Sequence, residues 1–491
     1  MQIFYTVISM SPFSAPTPFS FILFGASGNL AKLKIYPALY VLALKKRLPK
    51  DYAIVGYSRS GMDEVFFRSI VAESIKKDMM EVNDEILDEF LSHCHYVQGQ
   101  YSKVEDYTPL NLKLKELEKN WKDAVRLAYL SIPPQIIPDV LKNLCKSDVR
   151  KHNGLFRCIV EKPVGHDMAS FEAIQKVLVE CLDEDEIYLL DHYLGKEAVR
   201  NIYYLRFANP ILERLFKNSL INHVEVIADE AVGIEERAGY FEHTGTFRDM
   251  FQSHLLEMAS LLTMRLRDTD DLIRESRQLT MGQFYLPPAS DLSEIALQGQ
   301  YVQGMREQKP ENGYRKEEGV AGDSRTNTFV ALKLFSRESR WQGVPFYLRS
   351  GKRLPKRETR ISLQFQEPRI VGKGSAPNRL HIILQGEAGM RVELQTKLGG
   401  TEPEFRALIL EDPLVCMGDC LPEHGILLLE AIHGNKTWFL TFEEVRTAWR
   451  LIDPIQAYLD KPDTPLHEYA SGTKGPEEMD VWIGRDGLKW F

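Results

Sequence analysis

The residues best suited to chemistry fall in short runs. The first is Gly25-Ala26-Ser27-Gly28-Asn29-Leu30-Ala31, directly after the apolar residues 19–24. Glycines between a strand and a helix let backbone N–H groups close on a pyrophosphate at the helix N-terminus. The spacing is GxxGxxA rather than GxGxxG, so both a dinucleotide turn and a Gly-rich turn of any α/β protein fit. The second run, Ser58-Arg59-Ser60, ends the next apolar stretch. A carboxylate there would repel a ribose 2′-phosphate, whereas a guanidinium can fork onto it. Behind such a turn Arg59 points to NADP rather than NAD; alone it is an exposed loop arginine. The third run is Glu161-Lys162-Pro163, where a cis X–Pro bond could aim Lys162 into a cleft, or simply end a strand.

Asp191-His192-Tyr193-Leu194-Gly195-Lys196 follows apolar residues 187–190. Open α/β sheets bind ligands beyond the carboxyl ends of their strands. An acid, an imidazole, a phenol and an ammonium grouped there suit a phosphorylated substrate, and a capped loop accounts for them equally well. His254 lies among Phe247, Met250, Phe251, Leu255, Met258 and Leu261, on the apolar stripe of a helical stretch at 246–264. A lone His in that setting is more often a satisfied core residue. Asp249, three residues after Thr246, reads as a capping-box acid. Five residues of an α-helix rotate by about 140°, so Asp249 diverges from His254, and a carboxylate partner would have to come from another segment. Six of residues 349–360 are Lys or Arg, with Glu358 the single acid. That run is either a solvated loop or a sink for a small anion; nucleic-acid binding would call for interleaved aromatics.

His93-Cys94-His95 has the composition of a metal site, but adjacent residues of an extended chain face opposite ways, so no metal is expected. The six cysteines (94, 145, 158, 181, 416 and 420) show neither CxxC nor a paired-ligand spacing. Free thiols and a cytoplasmic location are the expectation.

These runs need elements to hold them. The chain has 491 residues, 44% hydrophobic and 26% charged, which excludes disordered and fibrous classes. A net charge of −8 argues against a general polyanion or nucleic-acid binder. No apolar run approaches the roughly 18–20 residues of a membrane span. Residues 1–18 carry no positive n-region and are cut by Pro12, Pro16 and Pro18, so they read as a tail and not a signal peptide. Strand patterns at 19–24, 53–57, 125–131, 156–160 and 187–190 alternate with helical ones at 30–46, 63–77, 84–91, 136–144 and 169–182. Pro37 should kink the first helix or mark a second start. Beyond residue 200, strands at 222–228, 328–335, 360–366, 380–385, 391–396 and 405–410 come with fewer helices between them. The expected fold class is an α/β Rossmann-type dinucleotide-binding domain over 19–198, followed by a large α+β domain with a mostly antiparallel sheet over 199–491.

Taken together, GASGNLAK (25–32), VGYSRS (55–60), EKPVG (161–165), DHYLGKE (191–197), RDMFQSHLL (248–256), WQGVPFYLRSGKRLPKR (341–357) and AWRLIDPI (448–455) closely resemble the glucose-6-phosphate dehydrogenase family. DHYLGKE and GVPFYLRSGK are the specific members of the set. The resemblance implies oxidation of glucose 6-phosphate at C1 to 6-phosphoglucono-1,5-lactone with NADP as hydride acceptor, the first oxidative step of the pentose phosphate pathway, in a cytoplasmic homodimer. It implies His254 as general base and Asp191 as the carboxylate that orients it. It implies His192, Tyr193, Lys196 and Arg357 as phosphate ligands, and Glu230, Asp249 and Lys352 as sugar ligands. Gly25 to Leu30, Lys34 and Arg59 would contact the cofactor, and Lys162 would bridge cofactor and substrate.

Some positions depart from the family pattern. Asn29 stands where Asp is usual, Val164 where Phe is usual, and Ser253 where Asn is usual. Pro422-Glu423-His424-Gly425 replaces a Tyr-Glu-Arg-Leu-type helix start. The ending Trp490-Phe491 resembles bacterial members, which argues against a second, structural NADP site of the mammalian kind. Two other readings compete: a sugar oxidoreductase of the glucose–fructose type, and a catalytically silent NADP-sensing or scaffold protein. The first lacks reason for the anion-binding runs at 191–196 and 349–357, and the second would have lost the base or the phosphate ligands.

Overall fold

The computed structural model describes residues 17–288, 291–369, 372–386, 388–413, 416 and 418–491. The expected tail at 1–18 lies almost wholly outside them. The chain divides into two compact units. The first holds the described residues up to Glu197, Arg267–Arg274, and the described part of 417–442; the second holds the rest.

The sheet of the first unit is built from β1 (Phe19–Phe24), β2 (Tyr52–Ser58), β3 (Cys94–Gln98), β4 (Val125–Leu130), β5 (Leu155–Glu161) and β6 (Ile187–Leu190). They run parallel in the order β3-β2-β1-β4-β5-β6. This is the doubly wound order, whose crevice lies where the strand sequence reverses, at β1 and β4. β1, β2 and β4 are buried along their whole length, as a parallel sheet covered on both faces requires. The stretch expected as one helix from residue 30 is a π-helical segment, Ala31–Ile35, then an α-helix, Tyr36–Leu44. Pro37 sits in the first turn of the latter, where its missing N–H costs nothing. β3 and the helix Tyr107–Leu117 were not in the sequence reading; β3 is an edge strand whose polar residues are half exposed, so its pattern is weak.

The expectation of uniformly free thiols is corrected. Cys145 and Cys181, on the helices Ile137–Lys146 and Met168–Cys181, are joined, with Cα atoms 5.7 Å apart. Cys416 and Cys420 are also disulfide-bonded. Cys94 and Cys158 are free and buried. A partner 36 residues away is set by how two helices pack, which the spacing of cysteines does not reveal.

The second unit contains β7 (Ile221–Asp229), β8 (Phe284–Tyr285), β9 (Ala296–Val302), β10 (Gly304–Arg306), β11 (Lys309–Glu311), β12 (Phe329–Ser336), β13 (Phe346–Gly351), β14 (Glu358–Phe365), β15 (Arg379–Gln385), β16 (Gly389–Lys397), β17 (Phe405–Pro413) and β18 (His467–Ala470). The large sheet runs β17-β16-β15-β14-β7-β13-β12-β9-β18, with β8 on β12. Its pairs are antiparallel except β7–β13 and β9–β18. Phe329, Tyr347, Tyr301, Tyr469 and Trp482 pack into one aromatic-rich core of this unit.

The single helix expected at 246–264 is two segments in series, with a third helix just ahead of them. An α-helix, Ala238–Thr246, meets a π-helical segment, Phe247–Leu255, which runs into an α-helix, Leu256–Thr263. Gly245 takes φ 63° at the first break. Asn327 fills the gap there: its carbonyl accepts from Thr246 N (2.9 Å) and its Oδ1 from Phe247 N (3.0 Å). Thr246 itself is helical and caps nothing, so the capping-box reading of Asp249 does not hold. The 140° rotation between Asp249 and His254 also lapses, because an i→i+5 ladder winds more loosely than an α-helix.

Candidate active site

The turn after β1 is held by backbone bonds that only glycine permits. Gly25 has φ 84°, and a Cβ there would stand 2.0 Å from the Ser131 carbonyl oxygen. Gly25 N donates to Tyr57 O (3.0 Å), and Gly28 N to Gly25 O (2.9 Å). At Gly28 a Cβ would press on that same oxygen at 3.1 Å. Ser27 then ties the turn to the end of β2, with its Oγ 3.0 Å from Ser60 Oγ and 3.3 Å from Ser58 Oγ. Gly25, Ala26, Ser27, Gly28, Asn29 and Leu30 thus come together with Arg59 at the carboxyl ends of β1 and β2. Arg59 is exposed, its guanidinium 5.8 Å from the Tyr101 ring centre. Tyr101 escaped sequence reasoning, since nothing in its neighbourhood distinguishes it from a core tyrosine. A small-residue turn with a cation beside it fits a dinucleotide carrying an extra phosphate. Lys34 is also exposed, 3.7 Å from Glu423 Oε1.

At the ends of β5 and β6 the first unit gathers the next group. The Lys162–Pro163 peptide is cis, as the X–Pro sequence suggested. Lys162 N donates to Leu190 O (3.1 Å), which sets it beside Asp191 in the chain path. Asp191 is fully buried. Its Oδ1 accepts from Tyr193 N (2.9 Å), capping the 3₁₀ turn His192–Gly195. The capped-loop reading is therefore correct as geometry, and the turn also groups the polar side chains. Lys196 Nζ stands 3.7 Å from the Tyr193 ring centre, and the His192 and Tyr193 rings are 5.1 Å apart, edge to face. Val164 is buried.

In the second unit, β7 and β13 run parallel with Asp229 opposite Gly351. That register places the next residues, Glu230 and Lys352, side by side as an ion pair. Lys352 is 4% exposed, its Nζ 5.1 Å from the Phe241 ring centre. Asp249 accepts from Tyr240 OH (3.3 Å). His254 is 4% exposed, inside the π-helical segment with Gln252 and Ser253. Such segments recur at functional sites because they bulge side chains out of the regular ladder.

The basic run at 349–360 does not act as one patch. Arg349 pairs with Asp229 (2.6 Å), Arg353 with Glu311 and Glu317, and Arg360 with Glu225 (3.5 Å) and Glu358 (3.3 Å). Apart from Glu358, their acids come from other strands and loops, so the sequence alone overstated the available charge. Arg357 is exposed; with the Gln385 amide turned to satisfy its neighbours, Arg357 donates to the Gln385 oxygen (2.6 and 2.8 Å). His93, Cys94 and His95 each serve a different neighbour. His93 Nδ1 is 2.8 Å from Tyr52 O, Cys94 is fully buried, and His95 Nδ1 is 3.2 Å from Glu64.

Comparison with known proteins gives this arrangement its family. Residues 22–201 match the family model "Glucose-6-phosphate dehydrogenase, NAD binding domain", and residues 203–491 match "Glucose-6-phosphate dehydrogenase, C-terminal domain". The chain belongs to the glucose-6-phosphate dehydrogenase family. It is 34% identical over 480 residues to glucose-6-phosphate 1-dehydrogenase of Bacillus subtilis (strain 168), covering 96% of this chain and 97% of that one. The Schizosaccharomyces pombe protein of the same name is 35% identical over 478 residues, covering 95% and 93%. A solved glucose-6-phosphate dehydrogenase in complex with glucose 6-phosphate superposes with a TM-score of 0.87 at 31% identity, over 98% and 99% of the two chains. Glucose-6-phosphate 1-dehydrogenase from Mycobacterium avium gives 0.83 at 29%, over 97% and 98%. As a glucose-6-phosphate dehydrogenase family member the chain is an oxidoreductase acting on a CH–OH group of glucose 6-phosphate, and its cofactor is NADP. The expected fold class, family and reaction therefore agree with the structure and its relatives.

Proposed function

We propose that His254 removes the proton from the C1 hydroxyl of glucose 6-phosphate, and that Asp191 is the carboxylate that orients its imidazole. Bound NADP accepts the hydride from C1. The C1–H pair leaves as hydride, the hydroxyl proton goes to His254, and the new C1=O closes 6-phospho-D-glucono-1,5-lactone. Imidazole titrates near neutrality, so it can take the proton, and a carboxylate partner stabilises the imidazolium that results. His192, Tyr193, Lys196 and Arg357 hold the phosphate, remote from the reacting bond, so that its binding energy fixes the sugar. Glu230, Asp249 and Lys352 hold the hydroxyls. Lys162 bridges substrate and cofactor. Gly25 to Leu30 and Lys34 line the pyrophosphate side, and Arg59 takes the 2′-phosphate.

The observation that carries this reading is the glycine turn tied by Ser27 to the end of β2, with Arg59 exposed beside it, in a chain whose two halves both match the family. A homodimer is part of the proposal. β17 ends the large sheet with Leu408, Ile409 and Leu410 exposed, an edge that a second copy would cover. Cytoplasmic residence and a place at the first oxidative step of the pentose phosphate pathway are carried over from the family alone. Among the described residues no helix is long and apolar enough to cross a membrane. The test is absorbance at 340 nm. NADPH should form with glucose 6-phosphate and NADP, far more slowly with free glucose, and more slowly with NAD. Equal rates on glucose and glucose 6-phosphate would favour a non-phosphorylated sugar oxidoreductase instead.

A further inference from the structure

The helix start at 422–425, where the sequence leaves the family pattern, packs on the turn proposed to hold the phosphate. A Cβ on Gly195 would come within 2.4 Å of the Glu423 carbonyl oxygen, so turn and helix meet backbone to backbone. In that contact the His424 ring lies parallel to the His192 ring, 8° between planes and 6.0 Å between centroids. This is offset stacking range for π-systems. His424 is 4% exposed and is held from behind: its Nε2 is 3.6 Å from Glu161 Oε1, and the buried Tyr129 hydroxyl donates to that same oxygen. Burial raises the Tyr129 pKa, so the phenol keeps its proton and remains a donor. Glu161 is the last residue of β5, so the sheet itself anchors the chain of contacts.

We infer that His424 is a positioning residue for the substrate phosphate, acting through His192. Tyr129 and Glu161 fix His424. The His424 face then fixes the plane of the His192 imidazole. Holding a flexible ligand side chain in its bound rotamer lowers the entropy lost on binding. The inference rests on the proposed role of His192 as a phosphate ligand.

The experiment is a double-mutant cycle of His424→Ala and His192→Ala, read by KM for glucose 6-phosphate and Ki for inorganic phosphate, alongside kcat and KM for NADP. His424→Ala should raise both phosphate-sensitive constants by roughly 3- to 10-fold, the size of one ordinary polar interaction. It should leave kcat and KM for NADP within about twofold. In the His192→Ala background it should change nothing further. Glu161→Gln should reproduce part of the effect. His424→Gln carries the same test if the alanine variant melts early. An unchanged KM, an equal rise in KM for NADP, or a full effect persisting without His192 would each overturn the inference. If His192→Ala alone leaves KM and Ki untouched, the phosphate role of His192 falls first, and this inference with it.

Discussion

The turn after β1 and the π-helical segment around His254 reach their positions by opposite routes. The turn is contiguous: Gly25, Ser27 and Gly28 are neighbours in sequence, and the backbone they permit is the site. In the second unit the pieces are distant in sequence. Glu230 and Lys352 meet only because β7 and β13 run parallel in one register, and His254 sits in a π-helical segment whose first turn is held by Asn327, some 80 residues away. A turn can be read from residues in a row; a pair assembled by strand register cannot.

That contrast can be broken at either end. The largest effect is expected in the second unit. His254→Asn should lower kcat by about 10²–10⁴, the usual worth of a general base, while glucose 6-phosphate binding by calorimetry stays near wild type. Full kcat would remove His254 from the chemistry. In the first unit, Arg59→Ala should raise KM for NADP by roughly 10- to 100-fold, as losing a charge-assisted fork predicts, with little change for NAD. Equal losses with both cofactors would show Arg59 serving the turn and not the 2′-phosphate.

The smallest effect concerns stability. Glu225 of β7 is fully buried, and burial pushes its pKa up to about 7 against the pull of Arg360 and Arg349. Its folded pKa lies above the ordinary 4.5, so its contribution is complete below about pH 4.5 and is lost as pH rises through 7. His223 and His381, pushed down to about 4 chiefly by burial, work the other way: their contribution is present above 6.5 and fades as pH falls toward 4. Both histidines persist in Glu225→Gln. Melting of wild type minus variant therefore isolates the acid, and its advantage should shrink between pH 4.5 and 7 by at most about 3 kcal/mol. A flat difference would show that Arg360 keeps Glu225 charged throughout.

Much of the first unit was legible because parallel strands buried on both faces leave unbroken apolar runs, as at 19–24 and 187–190. Pro37 announced the second helix start for a local steric reason. What escaped was non-local. Tyr101 beside Arg59, the acids that consume Arg349, Arg353 and Arg360, and the Cys145–Cys181 pairing all depend on packing. At 246–264 the apolar period is compatible with both α and π winding, so the π-helical segment Phe247–Leu255 was not legible, nor was Asn327, some 80 residues on, as the acceptor at its start. The departure at 422–425 was visible as a departure, but its place beside His192 was not.

The central claim is that one imidazole takes the proton and one carboxylate serves it. A kinetic cycle of Asp191→Asn, His254→Asn and the double variant tests this most directly. If Asp191 acts through His254, the double variant should have the kcat of His254→Asn alone. Two losses that multiply would mean that the two residues act independently, and the account would be contradicted.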